Sequence, residues 1–138
     1  MINVNNDGTV TYPTTGLMWK RCAEGQTWTG STCTGNATVY TWEEAVALTS
    51  NFAGYDDWRI PTEEELLSLV DQTVCNPAID KTVFPNTPSS AFWSASADAG
   101  DSDYARYVHF YDGYAGDYDK DYYDKDDPFQ VRLCRGHR

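Results

Sequence analysis

Apolar and polar residues alternate in short runs near both ends of the chain, a pattern typical of β-strands. Thr9 to Tyr12 predicts a short strand after the turn Asn5-Asn6-Asp7-Gly8, and Leu17 to Trp19 predicts a second strand after another turn. Apolar residues alternate with polar ones again near the C-terminus, at Val108, Phe110, Phe129, Val131 and Leu133.

Two capping boxes predict helices in the middle of the chain. In Thr41-Trp42-Glu43-Glu44 the threonine hydroxyl can accept from the Glu44 amide while the Glu44 carboxylate reaches back to the Thr41 amide. Thr62 to Glu65 repeats this arrangement. The spacing of the apolar residues predicts that the first helix continues toward Gly54 and that the second continues through Val70. The pattern predicts an α+β domain, with two helices flanked by strands.

The length of 138 residues fits one domain and does not comfortably fit two. The chain has 21 acidic and 10 basic residues, for a formal charge of −11. This charge, without a basic stripe, disfavours nucleic acid, heparin and anionic lipid as partners. The aromatic fraction of 14% compensates for few aliphatic residues and favours a folded domain with an aromatic core.

Neither membrane insertion nor a signal peptide is expected. No apolar run reaches the roughly 18 residues of a membrane span. Residues 1–7 lack the basic and apolar features of a leader. We therefore expect an exported form to have lost its leader or to be carried by another protein.

Four cysteines, Cys22, Cys33, Cys75 and Cys134, allow three pairings. Cys22 and Cys33 bracket a polar loop, which favours a local disulfide between them. A Cys75–Cys134 disulfide would then join the end of a helix to the last strand. The alternative is four reduced, buried thiols. Because disulfides persist in oxidising compartments, the first interpretation favours an extracellular or cell-surface location.

One segment, residues 96–127, has an unusual composition. Its 32 residues include ten Asp and seven Tyr but no Asn, although Asn occurs seven times elsewhere. Changing the first adenine of an Asn codon gives Asp, Tyr or His, and changing both adenines can give Gly. A template rich in Asn codons and mutated at its adenines would produce this composition. The alternative is an acidic, tyrosine-rich loop of low complexity with no such history.

Several motifs resemble those of the Lcl C-terminal domain family. They are Thr15-Gly16-Leu17-Met18-Trp19, Thr41-Trp42-Glu43-Glu44-Ala45, Asp57-Trp58-Arg59-Ile60-Pro61-Thr62, Phe92-Trp93-Ser94 and Val131-Arg132-Leu133-Cys134-Arg135-Gly136. The resemblance implies a C-type-lectin-like fold. It also implies a likeness to variable proteins of diversity-generating retroelements, in which a reverse transcriptase randomises adenines near the end of a ligand-binding gene. Cell and virion surfaces are the locations that this implies.

The sequence gives less support to the hypotheses that the protein is an enzyme or binds a metal. The chain has two histidines, His109 and His137, and lacks the common nucleophile, phosphate-loop and zinc motifs, so no catalytic activity is expected. Asp117-x-Asp119-x-Asp121 resembles the opening of a calcium loop, but Tyr122 and Pro128 stand where Gly and Glu are needed. No cofactor or metal is expected, and weak calcium binding is left open.

The resulting prediction is one domain with framework 1–95, a variable ligand-binding region 96–127 and a closing strand within 128–138. Ligand-facing positions are predicted at Asp, Tyr, His and Gly residues, each of which is one or two adenine changes from Asn: Asp98, Gly100, Asp101, Asp103, Tyr104, His109, Tyr111, Asp112, Tyr114, Gly116, Asp117, Tyr118, Asp119, Asp121, Tyr122, Tyr123, Asp124, Asp126 and Asp127. Tyr107 also fits the code but is left out, because the strand from Arg106 to Phe110 resembles framework. Tyr and Asp surfaces suit protein recognition, and the negative charge favours a basic patch on the partner. The alternative function is a non-variable adhesin that binds a fixed glycan or protein.

The framework motifs are predicted to be structural. Trp19, Trp42, Trp58 and Trp93 are expected in the core, and Arg132 and Arg135 are expected to pair with framework carboxylates.

Overall fold

The computed structural model describes residues 2–98, 101–119 and 129–136, with the side chains of 98, 101–103 and 117–119 excepted. The described residues form ten strands and two helices: β1 (Asn3–Val4), β2 (Thr9–Tyr12), β3 (Leu17–Lys20), β4 (Thr27–Trp28), β5 (Cys33–Thr34), α1 (Trp42–Val46), α2 (Glu63–Leu67), β6 (Ala91–Asp98), β7 (Asp101–His109), β8 (Tyr114–Asp119), β9 (Phe129–Gln130) and β10 (Cys134–Arg135).

The described strands form three sheets. One sheet of four antiparallel strands has the order β1-β2-β3-β10, and a second has the order β8-β7-β6-β9 with β9 parallel to β6. A two-stranded hairpin, β4-β5, is the third. The strands predicted at Thr9–Tyr12 and around Leu17 are confirmed, and they pair with each other.

The single closing strand predicted near the C-terminus is divided between two sheets. Phe129 pairs with Ala91 in one sheet, and Cys134 pairs with Trp19 in the other. Val131 and Leu133, which lie between the two strands, are fully buried. This segment therefore connects the two four-stranded sheets.

Two clusters of apolar side chains form the core. The first is built around Trp19, Phe92 and Phe110, and the second around Trp58 and Trp93. The prediction of a core position is confirmed for Trp19, Trp58 and Trp93. Trp42 is half-buried against the second cluster, and its indole N–H donates to the Ser94 carbonyl at 2.8 Å.

The expected α+β fold, C-type-lectin-like with two helices flanking a small antiparallel sheet, is wrong. The regular secondary structure of the described residues is mostly β, and each helix has only five residues. Both capping boxes form, but helix α1 ends before Thr49-Ser50-Asn51, residue types whose side chains compete for backbone hydrogen bonds. After α2, the Ser68 hydroxyl donates back to the Glu65 carbonyl, and Leu69 is buried without being helical. The helical spacing of Leu69 in the sequence therefore indicates that this residue is buried, and it does not indicate a longer helix.

The disulfide predicted between Cys22 and Cys33 is confirmed, and it closes a separation of 11 residues. The predicted Cys75–Cys134 disulfide is wrong. Cys75 is exposed in the loop after α2, while Cys134 is fully buried in β10. The backbone around each cysteine is held at a different place. The Asn76 amide donates to the Tyr111 carbonyl, whereas Cys134 and Arg59 each donate their backbone amide to the carbonyl of the other.

Candidate ligand-binding surface

The β7–β8 hairpin carries most of the predicted ligand-binding residues that the structure describes. His109 pairs with Tyr114 at one end of the hairpin, and Tyr104 pairs with Asp119 toward the other. Five residues of extended strand span about 17 Å between His109 and Tyr104. The exposed tyrosines of the predicted set therefore lie toward opposite ends of the hairpin, with Tyr104 at one end and Tyr111 and Tyr114 at the other.

At one end lies the tyrosine turn, residues 110–114. Tyr114 is 74% exposed and Tyr111 is 51% exposed, and Asp112 between them is also exposed. Phe110, which begins the turn, is fully buried and packs edge-on against Phe92 with the ring centres 5.3 Å apart. The turn thus places two tyrosines on the surface while its first residue anchors it in the core.

Backbone hydrogen bonds hold the tyrosine turn against the loop after α2. The amides of Asn76 and Ala78 donate to the carbonyls of Tyr111 and Phe110, at 2.7 and 2.6 Å. Gly113 has a φ of +84°, and a Cβ there would meet the Val70 side chain at 2.6 Å. Long-range backbone hydrogen bonds therefore fix the turn, and no residue other than glycine can occupy position 113 without strain.

Tyr104 marks the other end of the hairpin and is 37% exposed. Nearby, Arg106 forms an ion pair with Glu63 at 3.0 Å, which ties β7 to α2. The Glu63 amide donates to the Ser96 hydroxyl at 3.0 Å. A cavity of about 590 Å³ lies beside these residues and is lined by Glu63 and Ser96 together with the acidic side chains Glu64 and Glu65.

Two predicted ligand-facing residues are partly covered. His109 is half-buried, and its Nδ1 accepts from the Tyr111 amide at 3.2 Å. Gly116 lies opposite Tyr107, and a Cβ at Gly116 would meet the Tyr107 hydroxyl at 2.6 Å. The Tyr107 ring is itself packed edge-on against Phe129 at 5.2 Å. Gly116 is therefore required for close packing against Tyr107. The argument from Asn codons does not reveal this requirement.

The other predicted residues are described in part or not at all. Backbone alone is described for Asp98, Asp101, Asp103, Asp117, Tyr118 and Asp119. The remaining positions lie outside the described residues: Gly100, Asp121, Tyr122, Tyr123, Asp124, Asp126 and Asp127.

Sequence reasoning missed the framework loop that adjoins the tyrosine turn. Val74 in this loop is exposed, two residues before the amide that bonds to Tyr111. Nothing in the local pattern marks this loop, since its Asn76 amide bonds to a residue 35 positions away along the chain.

Ion pairs fix the framework around this surface. Arg59 makes a bidentate bond to Glu65, with both N–O distances 2.9 Å. Partial burial raises the pKa of the Glu65 carboxyl, but the bonds from Arg59 and from the Thr62 amide outweigh burial and hold this pKa below its usual value. The pairing predicted for Arg135 with a carboxylate is confirmed, since Arg135 bonds to Asp57, and this hydrogen bond lowers the pKa of Asp57.

Within the described ranges, no three His, Cys, Asp or Glu side chains gather closely enough to hold a metal ion. Neither helix of the described chain has the length and apolar character that crossing a bilayer requires.

Comparison with known proteins identifies a family. The family model of the Lcl C-terminal domain matches residues 8–135, nearly the whole chain. A match to this family indicates a ligand-binding or display domain. Neither a curated protein nor a solved structure matches the chain.

Proposed function

The chain belongs to the Lcl C-terminal domain family, and from that premise we propose that it is a display domain whose residues 96–127 bind a protein ligand and vary through retroelement-driven mutation of adenines. The framework keeps its shape, and the surface of the hairpin changes from copy to copy of the gene.

One observation carries this proposal. Along the hairpin, residues that adenine changes connect to Asn are exposed at Tyr104, Tyr111 and Tyr114. Ala105, Val108 and Phe110, which lie outside the predicted ligand-facing set, are fully buried. Mutation confined to the exposed positions Tyr104, Tyr111 and Tyr114 would therefore alter the surface and spare the core.

The exposed side chains suit protein recognition. Tyrosine offers a rigid apolar face and a hydroxyl for a small loss of conformational entropy, and Asp112 supplies an acceptor between the two tyrosines of the turn. The formal charge of −11 on the chain favours a partner with a basic patch, which would associate faster at low ionic strength.

The proposal places the domain outside the cell, on a cell or virion surface, and assigns it no catalytic role. The Cys22–Cys33 disulfide supports an oxidising location.

Sequencing the gene and its flanks tests the variable-display proposal. We expect a nearby near-copy of the segment that encodes residues 96–127, with Asn codons where this chain has Asp, Tyr, His or Gly, and a reverse-transcriptase gene close by. A locus with neither feature, or copies that differ at bases other than adenine, contradicts diversification and leaves an adhesin with a fixed ligand.

Binding measurements test the surface. Once a ligand is found for one copy, the pair Tyr111→Ser and Tyr114→Ser should abolish binding, because exposed aromatic residues are common hot spots. The matched control is Val4→Ser, an exposed apolar residue of β1 outside the segment. Equal binding by the double variant and the control would exclude the tyrosine turn as the binding surface.

A further inference from the structure

The His109 ring holds one peptide group of the tyrosine turn. Its Nδ1 atom accepts from the Tyr111 amide at 3.2 Å, so Nδ1 carries no proton while this bond exists. The Phe110 carbonyl belongs to the same peptide group as that amide, and it accepts from the Ala78 amide at 2.6 Å. The peptide group between Phe110 and Tyr111 is therefore held from two directions, by the ring and by the loop after α2.

The rest of the hairpin end is held by contacts that do not involve the ring. Phe110 is fully buried, and its amide donates to the Ser90 carbonyl at 2.9 Å. The Gly113 amide donates to the His109 carbonyl at 2.8 Å, a bond that joins backbone to backbone across the turn. A change at the ring therefore acts on the peptide group before Tyr111, whose side chain is 51% exposed, and leaves the hairpin closed.

Protonation of the ring removes the acceptor of the Tyr111 amide. Both nitrogens of an imidazolium carry hydrogen and can only donate, so the Nδ1–H and the Tyr111 N–H would face each other. Histidine is the side chain whose ordinary change of charge falls between about pH 5 and 8. The bond that fixes this peptide group is therefore of a kind that mild acid breaks.

Other titratable and charged groups lie on the elements around the ring. Residues 88–93, which include the strand partner of His109, carry none of them. The turn and the loop after α2 carry Asp71, Asp80, Asp112 and the Cys75 thiol, and the hairpin also carries tyrosines. Helix α2 carries three glutamates, one of which pairs with Arg106 of β7. Carboxylates ordinarily titrate below about pH 5, and thiols, tyrosines and arginines above about pH 8, so a change between these values on these elements belongs to the ring.

We propose that His109 makes the tyrosine turn sensitive to pH. The neutral ring fixes the peptide group before Tyr111, and the protonated ring releases it and lets the exposed Tyr111 side chain take another direction. The ligand-binding surface would then differ between neutral and mildly acidic surroundings, a consequence that rests on the proposed function.

Aspartate makes the same local bond elsewhere in this chain. Asp7, Asp71 and Asp112 each accept through Oδ1 from the amide two residues further on, at 3.1, 2.9 and 3.2 Å. Aspartate at position 109 would therefore hold the Tyr111 amide without changing charge between about pH 5 and 8. Adenine mutation of an Asn codon can supply either residue. Under the proposed function, copies of the gene with His at this position have a pH-sensitive turn, and copies with Asp do not.

NMR spectra of the ¹⁵N-labelled chain, recorded from about pH 8 down to about pH 5, test the switch without a ligand. At the upper pH we expect the neutral His109 ring to carry its proton on Nε2, because Nδ1 accepts. The ring nitrogen signals and the Tyr111 amide signal should then move together with one shared midpoint. The Gly113 amide, which bonds to backbone, should move less.

Two substitutions separate the acceptor from the charge. His109→Asp keeps an acceptor, so the Tyr111 amide should show no midpoint in this range. His109→Ala removes the acceptor, so at the upper pH this amide should exchange with solvent roughly fivefold faster than in the unchanged chain. The matched control is His137→Asp at the other histidine, which should keep the midpoint.

Four results would overturn the proposal: a neutral ring protonated on Nδ1, a Tyr111 amide that does not follow the ring, a midpoint that survives in His109→Asp, or one that disappears in His137→Asp. These measurements use the free chain and substitutions made by hand. Their failure therefore leaves the display proposal standing, and a locus without a template copy leaves the switch standing.

Discussion

Arg132 is buried between two aromatic rings, with its guanidinium carbon 4.7 Å from the centre of Phe84 and 5.7 Å from that of Phe92. The expected pairing of Arg132 with a carboxylate is wrong. It donates to the carbonyls of Lys20 and Arg21 and to the Thr87 hydroxyl. Burial lowers the pKa of Arg132 to about 9, so the side chain remains protonated at neutral pH. A single residue thus joins three separate backbone segments.

Arg132→Lys tests this role. One ammonium group cannot reproduce the planar fork, so buried acceptors lose their donor, and the unfolding free energy should fall by about 2–4 kcal/mol. Arg135→Lys is the matched control, because solvent screens the pair that Arg135 forms with the exposed Asp57, so its loss should change the unfolding free energy little. Urea denaturation measures both variants, and equal losses would show that Arg132 has no special structural role.

At Gly116 the codon argument predicts a variable position, whereas the packing requires glycine. The Tyr107 ring covers it and also packs on Phe129. Gly116→Asp, a change that mutation of a codon could supply, should displace the ring and lower the melting temperature by several degrees. Tyr114→Asp, at the neighbouring exposed position, should change it little. Thermal melting of the two variants decides the matter; if Gly116→Asp melts as the unchanged chain does, the position is free to vary.

At the scale of elements, each helix depends on its capping box more than on its length. Thr62 accepts from the Glu65 amide at 3.2 Å, and the Glu65 carboxylate accepts from the Thr62 amide at 2.8 Å and from Arg59. One carboxylate therefore begins α2 and ties it to the segment that pairs with β10. A helix of five residues would be unstable without such contacts.

The Arg59–Glu65 pair predicts an acid-dependent loss of stability. Because the folded-state pKa of Glu65 lies below its ordinary value of 4.5, the pair stabilises the fold above pH 4.5, and this contribution is lost as the pH falls through the folded-state pKa. Glu65→Gln should therefore lower the melting temperature at pH 7 and have a diminishing effect as the pH drops. The control is Glu64→Gln, an exposed carboxylate of the same helix. A difference between wild type and Glu65→Gln that is constant with pH would contradict this assignment.

On the scale of the whole molecule, the chain returns at its end to close the structure. Residues 129–135 add one strand to each four-stranded sheet, and the disulfide closes the hairpin side of the framework. The β7–β8 hairpin, which carries the proposed display surface, is built on this frame.

Removing the disulfide by Cys22→Ala with Cys33→Ala should lower the unfolding free energy by about 2–3 kcal/mol, since it constrains a short loop in the unfolded chain. Cys75→Ser should change stability little, because Cys75 is exposed. Thiol labelling of the native protein should modify Cys75. Denaturation curves that coincide for the double variant and the unchanged chain would show that the bridge does not stabilise the fold.

The sequence by itself determined the features that depend on neighbours along the chain. Both capping boxes formed as predicted because each joins residues three apart. The Cys22–Cys33 disulfide closes a short loop, and the strands at Thr9 and Leu17 follow local turns. The family match likewise reflects motifs that are local in the sequence.

Only the tertiary structure decided the rest, because the contacts involved join residues far apart in the chain. Arg132 found its acceptors 111 and 112 residues away, where no local pattern could indicate them. Helix α2 ended at Leu67 although the apolar spacing continued, because Leu69 is buried from the loop that follows. Gly116 was fixed by a ring on the opposite strand, and Tyr111 was held by a loop beyond α2. Long-range contacts of this kind depend on the path of the whole backbone. The alternation of apolar residues in the sequence indicates only that a position is buried.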